Sequence, residues 1–396
     1  MRPRLAIIRG HFYSREEALL FKPLEDEFDI TLFISPGSHQ DTNVGLPIVE
    51  LPCLDSRLNS LSFGAYGKIY GLINNLTGVD SEFVFGLGDK LRGFDVAYTN
   101  DYNYLLTYQV ARLKRHLDFK LATVHWQNIP FALDRKPIAK FFKYRVYDQV
   151  DGFFAMSERA KAALLLEGID ESKIFVTRNG TDTEKFKPNE SSRLRWRERY
   201  GIKPDDMVIL FVGRVRASKG AFELIYAAKR LLNDPMIDRT KLKIVIAGKG
   251  PAEQEVDKRI QMLGLDRNVI RTGFIPRSEI DLVHNMADIF CLPSTPRKYW
   301  QEQLGAVFLE AMACGKPIVS TLSGSIPEVV GDAGILVQPN DHVALYEGLK
   351  SIILDRKLRM SLGLKARDRA ERLFSPAAIS ENLRRGLLGC LGRRKN

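Results

Sequence analysis

Short apolar runs alternate with amphipathic stretches along almost the whole chain. Met207 to Val212 is continuously apolar, the mark of a strand buried on both faces, and a helical pattern follows from Ala221 to Leu232. The same reading predicts strands in the first half at Arg4 to Arg9, Ile30 to Ile34, Val96 to Tyr98, Leu121 to Val124, Gly152 to Ala155 and Ile174 to Val176. In the second half it predicts Val208 to Val212, Lys243 to Ala247, Val269 to Thr272, Ile289 to Leu292, Pro317 to Ser320 and Gly334 to Val337. Helical patterns fill most gaps, which is the βαβ rhythm of α/β domains with parallel sheets. A chain of 396 residues has room for two or three cores. The boundary is expected between Asp182 and Asp206, where Lys185, Lys187, Pro188, Asn189, Ser191 and Ser192 form a polar connection ahead of a short helix from Ser192 to Tyr200.

Two loops carry candidate chemistry. The apolar run ending at Val212 opens into Gly213-Arg-Val-Arg-Ala-Ser-Lys219-Gly220, a basic Gly-bearing loop at the carboxyl end of a strand, where open α/β sheets bind ligands. Further on, Glu302 and Glu310 stand eight positions apart. A strong helix former, Ala306 to Cys314, is expected to start near Leu304 or Gly305, with Gly315 and Pro317 as stop signals. The first N–H groups of such a helix form an anion site. Eight helical positions span roughly 12 Å, so one carboxylate could hold a ribose hydroxyl and the other a sugar hydroxyl on either side of a diphosphate. Solvated surface charges are the usual fate of Glu. Glu310, however, sits among Leu309, Ala311, Met312 and Ala313, where an unpartnered carboxylate is costly.

The segment from Glu302 to Pro317 resembles the E-x7-E signature of glycosyltransferase family 4, the retaining GT-B enzymes also called glycosyl transferases group 1. It departs from the commonest form in having Gln303 and Leu304 in place of Gly and Phe. The loop after Val212 resembles the family's G-R-x-x-x-x-K-G, with Arg214 and Lys219 matching position by position. Asn179-Gly180-Thr181-Asp182 resembles the N-G-V-D ahead of the interdomain linker, and Ser323 to Glu328 the family's G-G-x-x-E. The resemblance covers most of the second half and thins toward the N-terminus. It implies an α/β GT-B architecture of two Rossmann-like domains facing a cleft, an acceptor-side domain at 1–185 and a nucleotide-sugar domain at 186–375. A C-terminal helix at 376–396 would pack back on the first.

By the same resemblance, Arg214 and Lys219 hold the donor diphosphate, Glu310 the ribose and Glu302 the hexose hydroxyls, a nucleophilic Glu302 being the alternative. Gly213, Gln303, Leu304, Gly305 and Ala306 line the donor, and Ser323 or Gly324 offers backbone N–H groups to the sugar. His125, after the apolar strand Leu121 to Val124, matches the residue that contacts the transferred sugar. Gly10 in Arg9-Gly10-His11-Phe12 stands where relatives carry a Gly-rich acceptor loop.

Charge and cysteine usage narrow the field. Lys and Arg number 59 against 48 Asp and Glu, a net +11 that favours an anionic partner. Arg135, Lys136, Lys140, Lys143 and Arg145 interleave with Phe141, Phe142, Tyr144 and Tyr147, a mix suited either to an anionic membrane surface or to a basic outer face with its aromatics in the core. Arg384, Arg385, Arg393, Arg394 and Lys395 add a basic C-terminus. Cys53, Cys291, Cys314 and Cys390 lack metal-ligand or redox spacing and read as reduced thiols. There is no D-x-D pair for a metal, and Gly248-Lys249-Gly250 lacks the third glycine and acidic residue of a nicotinamide fingerprint.

The expected activity is transfer of a hexose from a UDP- or GDP-sugar to a hydroxyl of a glycan, lipid or polyol. No cofactor, metal or nucleic acid is expected, and the location is cytoplasmic or peripheral on the inner membrane face. A nucleotide-sugar epimerase of the same fold and a non-catalytic anion-binding protein are the alternatives.

Overall fold

A computed structural model of the chain describes residues 1–11, 13–36, 44–54, 71–74 and 76–392. Phe12 and the terminal cations Arg393, Arg394 and Lys395 therefore lie outside the described residues. The chain divides into two compact units, Met1–Gly180 with Pro376–Asn396, and Thr181–Ser375.

The first unit is built on seven parallel strands: β1 (Arg4–Gly10), β2 (Asp29–Ile34), β3 (Ile48–Glu50), β4 (Val96–Thr99), β5 (Lys120–His125), β6 (Gly152–Ala155) and β7 (Ile174–Val176). Their order is β3-β2-β1-β4-β5-β6-β7. Side chains of β1 alternate between two cores, as strand geometry requires. Ala6 and Ile8 pack with Phe33, Leu106, Leu121 and Phe153 on one face, while Leu5 and Ile7 pack with Phe21, Tyr98, Phe154 and the C-terminal helix Pro376–Leu391 on the other.

The second unit carries β8 (Met207–Val212), β9 (Leu242–Ala247), β10 (Val269–Gly273), β11 (Ile289–Cys291), β12 (Ile318–Thr321) and β13 (Gly334–Val337), ordered β10-β9-β8-β11-β12-β13. Val208, Ile209, Leu210 and Phe211 are all fully buried, as expected of a central strand covered by helices on both faces. In both sheets the chain winds outward in one direction from a central strand and then in the other. The crevice where the two directions part, β1 against β4 and β8 against β11, is where such sheets bind ligands.

The predicted strands all form, most of them within a residue of their expected ends. The short edge strand β3 was not predicted, and the expected strand at Pro317 starts one residue later. Proline has no N–H for the ladder, yet its carbonyl still accepts from the Phe290 amide at 3.0 Å. No helix among the described residues is long and apolar enough to cross a membrane.

Candidate functional site

In the second unit, the loop after β8 and the segment after β11 meet where the sheet changes direction. Backbone bonds fix them together: the Thr295 amide donates to the Ser218 carbonyl at 3.0 Å. Lys219 is thereby aimed at Glu302, with Nζ 2.7 Å from Oε2, and Ser294 Oγ donates to the same oxygen at 2.8 Å. The Lys219 ammonium also lies 5.0 Å from the centre of the Trp300 ring. The pair is withdrawn from water, with 19% of the Lys219 side chain and 6% of the Glu302 side chain exposed. In that setting each charge depends on the other.

Beyond Glu302 the helix Ala306–Ala313 begins as expected. Gly305 takes φ +73° at its N-terminus, and no side chain caps the first turn. The structure gives Gly305 a sharper reason than an open approach: a Cβ there would lie 2.5 Å from the Phe308 ring. Leu304 is buried, Gln303 and Gly305 are half-buried, and Ala306 is exposed at the helix start. Ser323 and Gly324 are buried against the Glu302 backbone, whose carbonyl accepts from the Ser325 amide at 2.9 Å.

Glu310, on the same helix, has its carboxylate held on both oxygens. Arg277 donates Nη1 to Oε1, and His284 Nε2 lies 3.2 Å from Oε2. Burial pushes its carboxyl up, but the His284 hydrogen bond and the Arg277 charge outweigh it and hold the group below the usual carboxylate range.

Beside this centre, a cavity of about 410 Å³ opens at the carboxyl ends of β8, β9 and β10, lined by Gly213, Arg214, Gly248, Lys249 and Phe274. Arg214 is exposed there. The cavity wall is braced by backbone bonds from the Gly213 amide to Ala247 at 3.0 Å and from the Val215 amide to Lys249 at 3.1 Å. The Gly248-Lys249-Gly250 loop is thus part of this wall.

In the first unit, His125 ends β5, stacks on Tyr102 and is almost fully buried, with Nδ1 3.4 Å from Asp101. Gly10 ends β1 beside the buried Glu82 carboxylate, which accepts from the His11 amide at 3.0 Å and from Ser35. His11, Asp80 and Glu82 bring donor atoms within 4.8 Å of one another.

The basic and aromatic segment, read as suited either to a membrane surface or to a basic outer face, forms the helix Pro137–Tyr147 in this unit, and one of its cations faces neither membrane nor solvent. Lys143 is fully buried between Asp134 at 2.8 Å and Glu167 at 2.7 Å, so it presents no charge to a surface. All four cysteines are free and buried, and burial pushes the Cys314 thiol up to about 12.

The structure brings Lys219 to Glu302 and sets Glu310 on the same segment, while Arg214 lines the neighbouring cavity; Ser294, Arg277 and His284, which hold these carboxylates, and the buried Glu82 were not singled out from sequence. Arg277 resembles any loop cation of a basic chain, and His284 sits on an apolar helix face where histidine is ordinarily structural.

Residues 192–369 match the family model described as glycosyl transferases group 1. The chain is 31% identical over 301 residues to a D-inositol 3-phosphate glycosyltransferase of Corynebacterium jeikeium, 71% of this chain and 70% of that one. It is 35% identical over 192 residues to a GDP-mannose-dependent alpha-(1-6)-phosphatidylinositol monomannoside mannosyltransferase of Mycolicibacterium smegmatis, spanning 48% of this chain and about half, 49%, of that relative. In fold it matches Anabaena HepE, solved in complex with UDP, with TM-score 0.74 at 19% identity, covering 98% of this chain and 99% of that one. The sucrose-phosphate synthase of Thermosynechococcus elongatus gives TM-score 0.72 at 19% identity, covering 98% of each chain. With two doubly wound sheets of GT-B type and the Glu302–Glu310 helix in place, the chain belongs to the group 1 glycosyltransferases, the GT4-type family.

Proposed function

We propose that the protein transfers a hexose from a nucleoside diphosphate sugar to a polyol or lipid hydroxyl with retention of anomeric configuration. The observation that carries this is the buried Lys219–Glu302 pair at the divergence of β8 and β11. It sets an ammonium and a carboxylate beside an uncapped helix start, with the Arg214 cavity in the same unit.

In this reading Arg214, Lys219 and the first N–H groups of Ala306–Ala313 hold the diphosphate and stabilise the charge that develops as it leaves. Glu302 accepts from hexose hydroxyls, Glu310 binds ribose, and Ser323 and Gly324 lie along the sugar. The acceptor oxygen bonds to the anomeric carbon as the carbon–phosphate oxygen bond breaks on the same face. The acceptor proton passes to the departing phosphate, which releases the nucleoside diphosphate. Positive charge comes from protein groups, so turnover in EDTA is expected to match turnover without it.

Two relatives whose names specify inositol 3-phosphate and a phosphatidylinositol mannoside support a polyol or inositol-lipid acceptor. The apolar and basic groups exposed around Pro137–Tyr147 support an acceptor presented at an anionic membrane.

The test is a thermal-shift screen of UDP, GDP and their sugars, followed by NMR of the product formed with inositol 3-phosphate or phosphatidylinositol. Failure of every nucleotide to raise the melting temperature at millimolar concentration rejects the reading. An inverted product rejects retention alone.

A further inference from the structure

The two oxygens of Glu310 are held by partners of opposite character. His284 is fully buried, packed against Phe290 at 5.5 Å and Phe186 at 6.2 Å between ring centres, and cannot leave without disturbing the core. Because the carboxylate is ionised and accepts only, His284 donates its Nε2–H to Oε2. Arg277 grips Oε1 from the first residue of the 3-10 turn Arg277–Glu279, an exposed position with 45% of its side chain in solvent. It lies in the segment after β10 that also supplies Phe274 and Ile275 to the cavity wall.

We propose that His284 is the positioning residue that fixes the Glu310 carboxylate, and that Arg277 occupies the seat on Oε1 which the ribose hydroxyls take when the donor enters. This rests on the donor reading above. An ionised, buried carboxylate needs a partner on that oxygen at all times. A guanidinium on an exposed arm satisfies it in the free protein and yields to a pair of hydroxyls. Glu310 with a fixed back and an exchangeable front reads the sugar of the nucleotide. The same residue held by two buried partners could not.

The experiment measures, by calorimetry, the affinity of the full chain for whichever of UDP and GDP binds better and for its 2′,3′-dideoxy counterpart. The unaltered protein is expected to prefer the ribonucleotide by about tenfold or more, the worth of a hydrogen bond to a charged group. His284→Phe is expected to abolish that preference while leaving dideoxynucleotide binding in place. His284→Gln, which keeps a donor near Nε2, is expected to restore it.

Arg277→Ala removes the competitor at an exposed position, so it serves even if His284→Phe does not fold. It is expected to tighten ribonucleotide binding several-fold and leave the dideoxynucleotide unchanged. A ribose preference that survives His284→Phe overturns the positioning role. Equal weakening of both nucleotides by Arg277→Ala overturns the exchange and makes Arg277 a direct ligand. An unaltered protein that binds both nucleotides equally overturns the whole inference but not the donor reading, whereas one that binds neither removes both.

Discussion

Lys219 Nζ stands 2.7 Å from Glu302 Oε2, so two groups of the family motifs, 83 positions apart in sequence, neutralise each other in the free protein. Removing the cation leaves the carboxylate buried without its ammonium, with Ser294 Oγ still donating to the same oxygen. Lys219→Ala is therefore expected to lower turnover about a hundredfold or more and to lower stability by about 3 kcal/mol. Adding Glu302→Gln is expected to recover much of the stability and none of the turnover. Steady-state rates and urea midpoints of the single and double variants check this, and a double variant no more stable than Lys219→Ala would show that the pair is not coupled.

Glu310 links the site to pH. Its folded-state value is held below the ordinary one despite burial, by His284 and Arg277. A carboxyl depressed on folding contributes stability above its unfolded value, about 4.3, and loses that contribution as pH falls through the lower folded value. The stability gap between the unaltered protein and Glu310→Gln is expected to shrink as pH drops from about 5 toward 3, the range just around the unfolded value. Urea midpoints across that range decide it; a gap that widens on acidification has the wrong sign.

The parts of this arrangement legible in the sequence are those in which local pattern and tertiary role coincide. Met207 to Val212 is apolar throughout because it is the central strand, and Lys219 stands out because it closes a polar loop between two apolar elements. Strand β3, Ile48–Glu50, was illegible because three edge residues, two of them exposed and one half-buried, give no period. The Arg277–Glu310 and His284–Glu310 contacts join residues 33 and 26 positions apart with no motif between them, so only folding reveals the carboxylate's partners. The burial of Lys143 was hidden for the same reason: it depends on Glu167, a strand and a helix further along the chain.

Glycines with similar backbones separate strain from shape. Gly324 has φ +56° and Gly315 φ +69°, so alanine is strained at both. At 324 the added Cβ would fall 2.0 Å from the Glu302 carbonyl oxygen, whereas at 315 the nearest atom is the Pro188 ring at 3.4 Å. Gly315→Ala is expected to cost about 1 kcal/mol and keep its turnover. Gly324→Ala must displace the Glu302 backbone and is expected to lose turnover at least tenfold beyond its loss of folded protein. Rates normalised to the folded fraction by near-ultraviolet circular dichroism test this, and equal normalised rates would mean that Glu302 is not part of the working site.

The surface around Pro137–Tyr147 makes a membrane prediction more specific than its composition does. Ile138, Phe141 and Tyr144 are exposed at 49, 46 and 41%, beside exposed Arg135, Lys140 and Arg145, and Arg145 lies 3.5 Å from the centre of the Phe141 ring. Leu72, Ile73 and Leu76 are exposed in the same unit, just ahead of Gly78, which abuts the Lys136 side chain. Apolar groups rimmed by cations suit an anionic interface. A cation near such a surface is worth about 1 kcal/mol, so Lys140→Ala is expected to weaken binding to phosphatidylserine-containing vesicles about fivefold, and added salt to weaken it further. Lys143→Met is expected to leave vesicle binding unchanged and to destabilise the fold, because Asp134 and Glu167 lose the ammonium between them. Co-sedimentation of the folded variants reads both effects. Vesicle binding that falls with Lys143→Met and not with Lys140→Ala, or no binding even at low salt, would remove this helix as a membrane contact.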